Sequence, residues 1–184
     1  MELYGKNIMK TVYSFIITYL LGILLCFSLF CCNKLFPDEK LTLQREDYFG
    51  NELRTDGYYY TFGENDKIRA VSFFYRNGII IVRTGSLPAD LDYVEKIIVD
   101  SDLKSKDHWG VFVIDGSSIQ FERWVGTTGI SAGLSKSKGN IINDTTICFT
   151  ERYNSEYDKT STIKETWHFK QFDNKPDSTN KYIK

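Results

Sequence analysis

The stretch Trp109-Gly110-Val111-Phe112-Val113-Ile114-Asp115-Gly116-Ser117-Ser118-Ile119-Gln120-Phe121-Glu122-Arg123-Trp124 decides how this chain folds. Its first six residues are aromatic, β-branched or glycine, the composition of a strand. Asp115-Gly116 is a strong short hairpin signal, because glycine adopts positive φ without steric cost. The returning residues alternate. Ile119, Phe121 and Arg123 fall on one face, and Gln120, Glu122 and Trp124 on the other, as the two-residue period of a strand requires. The stretch is an antiparallel hairpin.

The same pattern recurs on both sides. Upstream, Tyr58 to Phe62 follows Gly57 and reads as a strand. Val71 to Tyr75 is the next, Arg76-Asn77-Gly78 is a turn, and Ile79 to Thr84 returns. Gly85 to Pro88 breaks the pattern. Ala89 to Val99 then switches to a helical period, with Leu91, Val94, Ile97 and Ile98 on one face. Pro88 precedes it, and Asp90 and Asp92 suit the positive end of the helix dipole. Ser101 to Asp107 is a polar loop. Downstream, Ser131 to Ser137 reads as a strand, Lys138-Gly139-Asn140 as a turn, and Thr145 to Arg152 as a strand. Thr162 to Phe172 is the last strand, with Ile163, Trp167 and Phe169 on one face and Lys164, His168 and Lys170 on the other.

The expected fold is therefore all-β. It is an antiparallel up-and-down meander of about eight strands with one helix between strands 3 and 4. Eight strands close into a barrel that removes the exposed edges. Alternation alone leaves a β-sandwich open as the alternative.

The amino-terminal segment has a different character. Lys6 and Lys10 precede an apolar run, and no charge stands between Lys10 and Lys34. A positive flank before an apolar core reads as an export signal helix. The run is close to the ~20 residues that span a bilayer, so an uncleaved anchor is the rival. The cysteines favour the first. Leu29-Phe30-Cys31-Cys32 resembles the cleavage box of bacterial lipoproteins, in which the chain is cut before a cysteine that then carries a lipid. The resemblance implies lipid attachment at Cys32, with Leu29 three residues before it. Cys31 occupies the place where Gly, Ala or Ser is usual, and Cys31 as acceptor would follow the bulky Phe30. Several palmitate-type chains would anchor the protein firmly, since each buried CH₂ contributes ~0.8 kcal/mol. The resulting division is a lipoprotein signal peptide over 1–31, a tether over 32–54, a barrel over 55–172 and a polar tail over 173–184.

The order and number of elements, together with the Trp109-Gly110-x-Phe112-x-Ile114-Asp115-Gly116-x-x-Ile119 hairpin, resemble small lipocalin-like lipoproteins of Bacteroidota, a group largely without assigned function. The resemblance covers Gly57 to Phe172. It implies a lipocalin-like barrel attached to the cell envelope by its lipid, with the outer membrane as the expected location.

Composition narrows function further. From residue 32 onward the chain holds 21 basic and 23 acidic residues, a net charge of −2. That balance gives no electrostatic footprint for nucleic acid. Of the four cysteines, only Cys148 stands beyond the amino-terminal segment, so no internal disulfide framework is expected, and Cys148 reads as a small hydrophobe within a strand. His108 and His168 lie in no metal-ligand spacing. There is no nucleophile elbow, and Gly126-Thr127-Thr128-Gly129-Ile130 lacks the Lys-Ser/Thr of a phosphate loop. No motif supports an enzyme, a cofactor or a metal.

The strand aromatics carry the remaining expectation. Most would pack a core. Tyr59, Phe73, Phe121, Arg123 and Trp167 are the candidates to line a lumen for a small apolar or amphipathic ligand. If the face that Arg123 shares with Ile119 and Phe121 points inward, its guanidinium requires a partner or a ligand anion. Otherwise it lies near the rim with its charge in water. The alternative is a non-enzymatic envelope protein with a filled barrel that meets a protein partner.

Overall fold

A computed structural model describes residues 15–23, 38–100, 103–126 and 132–184. Residues 15–23 form helix α1 and belong to a unit separate from Asp38–Lys184. Cys32 and its flanking cleavage box lie outside the described residues. Among the described residues no helix is long and apolar enough to cross a membrane.

The second unit is a closed eight-stranded barrel of β1 (Gly57–Phe62), β2 (Ile68–Phe74), β3 (Ile79–Leu87), β4 (Trp109–Asp115), β5 (Ser118–Gly126), β6 (Ala132–Asn143), β7 (Thr146–Asn154) and β8 (Lys159–Gln171). Every neighbour pair is antiparallel in chain order. β8 returns to β1, with Gly57 opposite Gln171 and Tyr59 opposite Phe169. Closure leaves no free edge, which selects the barrel over the sandwich. Helix α2 (Leu91–Asp100) lies between β3 and β4. Asp90 stands just before it, and its Oδ1 accepts from the backbone N–H groups of Asp92 (3.0 Å) and Tyr93 (3.2 Å).

The expected turn at Lys138-Gly139-Asn140 is instead the middle of the continuous strand β6, which turns only after Asn143. Gly139 stands there because β7 approaches closely. A Cβ at this position would overlap the carbonyl oxygen of Cys148.

Both faces of much of the wall are buried. Inside, Phe121, Phe149 and Trp167 interlock edge to face, with ring centroids 5.1 and 5.4 Å apart along the series. Tyr59, Phe74 and Phe112 form a second chain of contacts at 5.5 and 5.1 Å. Outside, Tyr58, Val71, Phe73, Ile79 and Ile81 belong to a second cluster that also contains Val94 and Ile98 of α2. The Tyr58 hydroxyl donates to Glu95 at 3.1 Å and fixes the helix to the wall.

The segment expected as a tether is, from residue 38 onward, packed on the barrel. Tyr48 and Leu53 join the inner core. The Tyr48 N–H donates to the Arg76 carbonyl (2.7 Å), and the Arg54 N–H to that of Asp144 (3.2 Å). These contacts bind the segment to the β2–β3 and β6–β7 turns and close one end of the barrel. Gly78 in the first turn has φ +76°, and a Cβ there would strike the Glu46 carbonyl. Farther along the outer wall, buried Glu122 accepts from the N–H groups of Thr42 (2.5 Å) and Leu43 (2.8 Å) and from the Thr42 hydroxyl (3.0 Å).

The expected polar tail is likewise docked. Phe172 is buried, and the Lys175 ammonium donates to the carbonyls of Thr55 (2.7 Å) and Phe74 (2.5 Å) while lying 3.7 Å from the Tyr75 ring centroid. The Tyr75 hydroxyl donates to the Pro176 carbonyl at 2.6 Å. Tyr182 and Ile183 pack against the outer cluster. Composition reads these two flanks as free because their apolar residues are few, but Tyr48, Leu53, Phe172, Tyr182 and Ile183 among them pack on the barrel, while Phe49 stays exposed.

Candidate functional site

The barrel has unlike ends. Tyr48 and Leu53 plug the end that carries the β2–β3, β4–β5 and β6–β7 turns. At the other end the interior opens into a cavity of about 290 Å³. Of the glycine-bearing stretch 126–130 near this end, only Gly126 is among the described residues.

The cavity exists because small residues face inward along this half of the wall. Phe121 and Trp167 form its floor, and above them the inward positions of β2 and β6 are Ala70, Ser135 and Ser137. Arg123 stands between Gly110 of β4 and Ser135 of β6 in the register. Gly110 is required beside it, because a Cβ there would overlap first the Glu122 carbonyl oxygen and then the Cβ of Arg123.

Three guanidiniums and one carboxylate line the cavity: Arg69, Arg123, Arg152 and Glu165. Three positive charges and one negative leave a net lining charge of +2. Glu165 is the anchor. Arg152 binds it in a bidentate fork, Nη1 to Oε1 at 3.0 Å and Nη2 to Oε2 at 2.7 Å. Arg69 pairs with the same Oε1, and the Trp167 indole N–H reaches Oε2 at 3.5 Å. Burial raises the Glu165 carboxyl, but the hydrogen bonds and charge of Arg152, together with Arg69, outweigh it and hold the carboxyl below the usual glutamate range.

Arg123 is placed differently. Its Nη1 donates to the backbone carbonyls of Asp107 (2.9 Å) and Trp124 (3.2 Å). Among the described residues no carboxylate forms an ion pair with it, and Nε and Nη2 have no acceptor. Desolvation, followed by repulsion from Arg152, pushes its guanidinium down to about 10; Asp107 offsets this in part. The Asp107 carboxylate is itself engaged by the Ser105 hydroxyl. Nearby His108 is half-buried, and burial lowers its pKa, so its imidazole is neutral at neutral pH.

Of the residues expected to line a lumen, Tyr59, Phe121, Arg123 and Trp167 face inward. Tyr59 lies toward the plugged end, where its hydroxyl donates to the Asp144 carbonyl at 2.6 Å. The other three meet at the open cavity. Phe73 does not line the lumen. It packs outside against Tyr58 and Phe172, at centroid distances of 5.9 and 6.4 Å. In Val71-Ser72-Phe73-Phe74 apolar residues occupy both faces, so alternation gave no means of choosing, and it is Phe74 that points inward.

Arg69, Arg152 and Glu165 were not among the expected site residues. Glu165 was accessible, because it shares the alternating face of Ile163, Trp167 and Phe169. Arg152 was not. The register slips between Phe149 and Glu151, and the inward face of β7 passes from Ile147 and Phe149 to Arg152 and Asn154. Arg69 sits at the corresponding irregularity between Ile68 and Ala70 in β2.

Among the described residues no group of His, Cys, Asp and Glu side chains is arranged to hold a metal ion. Cys148 is a half-buried free thiol away from the cavity lining. The fold and site define a closed antiparallel barrel with a packed, plugged end and an open, cationic one. Comparison with protein-family models, curated proteins and solved structures finds no match to this chain.

Proposed function

We propose that this protein is an exported, lipid-anchored, lipocalin-like binding protein of the cell envelope that takes a small ligand into the open mouth of its barrel. The cavity carries the reading: apolar rings form its floor, and charged groups with unused donors line its wall. Concave sites of this make-up, apolar with a few convergent polar groups, are where small ligands bind. The anchor rests on the sequence before Cys32, and the outer membrane is the proposed location.

The binding reading is tested with ligand-observed NMR on the full chain, using a mixture of small aromatic and aliphatic fragments. Fragments bind the wild type and lose binding in Ser137→Phe, which fills the cavity from a fully buried position. Binding unaffected by Ser137→Phe, or no binding by any fragment, refutes it. The anchor is tested by labelling cells with radioactive palmitate; label is expected on the wild type and absent from Cys32→Ala.

The packed lower half of the barrel favours a second reading, an envelope interaction protein with a filled interior. Failure of every fragment in the NMR experiment would favour it over the first.

A further inference from the structure

The ligand-binding reading leaves open what the mouth recognises, and the following inference rests on that reading. The geometry points to a small organic anion, with a single carboxylate- or phosphate-type head seated on Arg123 and a flat apolar body lying on Phe121 and Trp167.

Charge within the cavity is unevenly balanced. Arg152 and Arg69 share Glu165, so one of their two positive charges is locally countered. Among the described residues Arg123 is hydrogen-bonded to two carbonyls and forms no ion pair, with Asp107 offsetting part of its charge from nearby. The Arg123 guanidinium is only partly buried, and Gly110 and Ser135 beside it leave space on both sides, so its unpaired nitrogens are open to the cavity. The carbonyls hold Nη1, so the Nε and Nη2 edge of the guanidinium remains for a planar, bidentate acceptor. Arg152 stands close enough to repel Arg123 and adds to the positive field. An anion entering here would relieve that repulsion and provide the missing counter-charge, whereas a cation would face a lining of net +2. A neutral ligand would leave Arg123 uncompensated. The floor sets the body of the ligand. Phe121 and Trp167 lie 6.1 Å apart and tilted, and they offer rings rather than polar groups. The volume of about 290 Å³ restricts the ligand to a compact molecule.

Isothermal titration calorimetry on the full chain, with benzoate, phenyl phosphate and the neutral isostere benzamide, tests this. Benzoate or phenyl phosphate is expected to bind at least about tenfold more tightly than benzamide. Which of the two anions binds better identifies the head. Arg123→Gln is expected to abolish the preference, whereas Lys164→Gln, which removes the same charge from an exposed position of β8 outside the cavity lining, leaves it in place. The comparison of anion with benzamide on the wild type decides the question even if Arg123→Gln fails to fold. Equal binding of all three, lost in Ser137→Phe, would overturn anion recognition and leave the ligand-binding reading standing. Absence of binding by all three would overturn this inference, and with an empty fragment screen it would overturn the ligand-binding reading as well.

Discussion

Glu165→Gln is the most informative single perturbation of the open end. The substitution keeps the shape of the side chain but removes the charge that Arg152 and Arg69 share, so the lining rises from net +2 to net +3. It also turns an NH₂ group toward guanidinium donors. Breaking a buried ion pair by removing one partner costs about 3–5 kcal/mol. Here Glu165 is 9% exposed, but Arg69 is 49% and Arg152 25% exposed, so water screens part of the loss. We therefore expect about 2 kcal/mol of lost stability at neutral pH. For a chain of this size that lowers Tm by roughly 4–8 °C. The pH dependence follows from the depressed carboxyl. Its folded pKa lies below the ordinary 4.5, so its contribution is complete above that value and is lost as pH falls through the lower folded value. Urea unfolding of wild type and variant across a pH series should give a constant difference above about pH 5.5 that shrinks as the solution becomes acidic. A difference below about 0.5 kcal/mol at neutral pH, or one that persists undiminished into acid, refutes the assignment of Glu165 as the charge anchor.

Other expectations concern the two cores and the docked flanks. Phe149→Ala removes a fully buried ring between Phe121 and Trp167 and should cost about 3–5 kcal/mol in urea unfolding. Lys175→Met leaves the Thr55 and Phe74 carbonyls without their donor. Each unsatisfied buried group costs about 1–3 kcal/mol, so hydrogen exchange at residues 173–183 should accelerate well beyond that of the barrel strands. Glu122→Gln weakens a charge-assisted clasp on Thr42 and Leu43, and exchange at those two amides should quicken by about tenfold, with little change at β5 itself.

The barrel was legible in the sequence because turn chemistry and two-residue alternation agree in most segments. Asn77-Gly78 and Asp115-Gly116 mark hairpins, and both glycines have positive φ, at +76° and +58°. Legibility failed where one physical cue carried two meanings. In β6 the inward run of Gly133, Ser135, Ser137 and Gly139 resembles the punctuation of a loop; in the barrel it is the small-residue stripe that leaves room for Arg123 and Arg152. In β2 both faces are buried, so the inward assignment of Phe73 rested on no contrast between them. At β7 a register slip moves Arg152 inward, and no local sequence pattern announces it. The flanks were misread for a related reason. Low apolar content indicates weak independent folding, but a few residues such as Leu53 and Tyr182 are enough to dock a segment onto an existing wall. The ion pairs across the mouth join residues 96 and 13 positions apart, and that separation has no signature in one sequence.

Native mass spectrometry of the protein purified from its own host tests the central claim most directly. A small organic molecule is expected, retained in addition to the mass of the protein itself, lost on denaturation and absent from Ser137→Phe. A protein whose native and denatured masses agree, in wild type and variant alike, would contradict the ligand-binding mouth and leave a filled envelope barrel in its place.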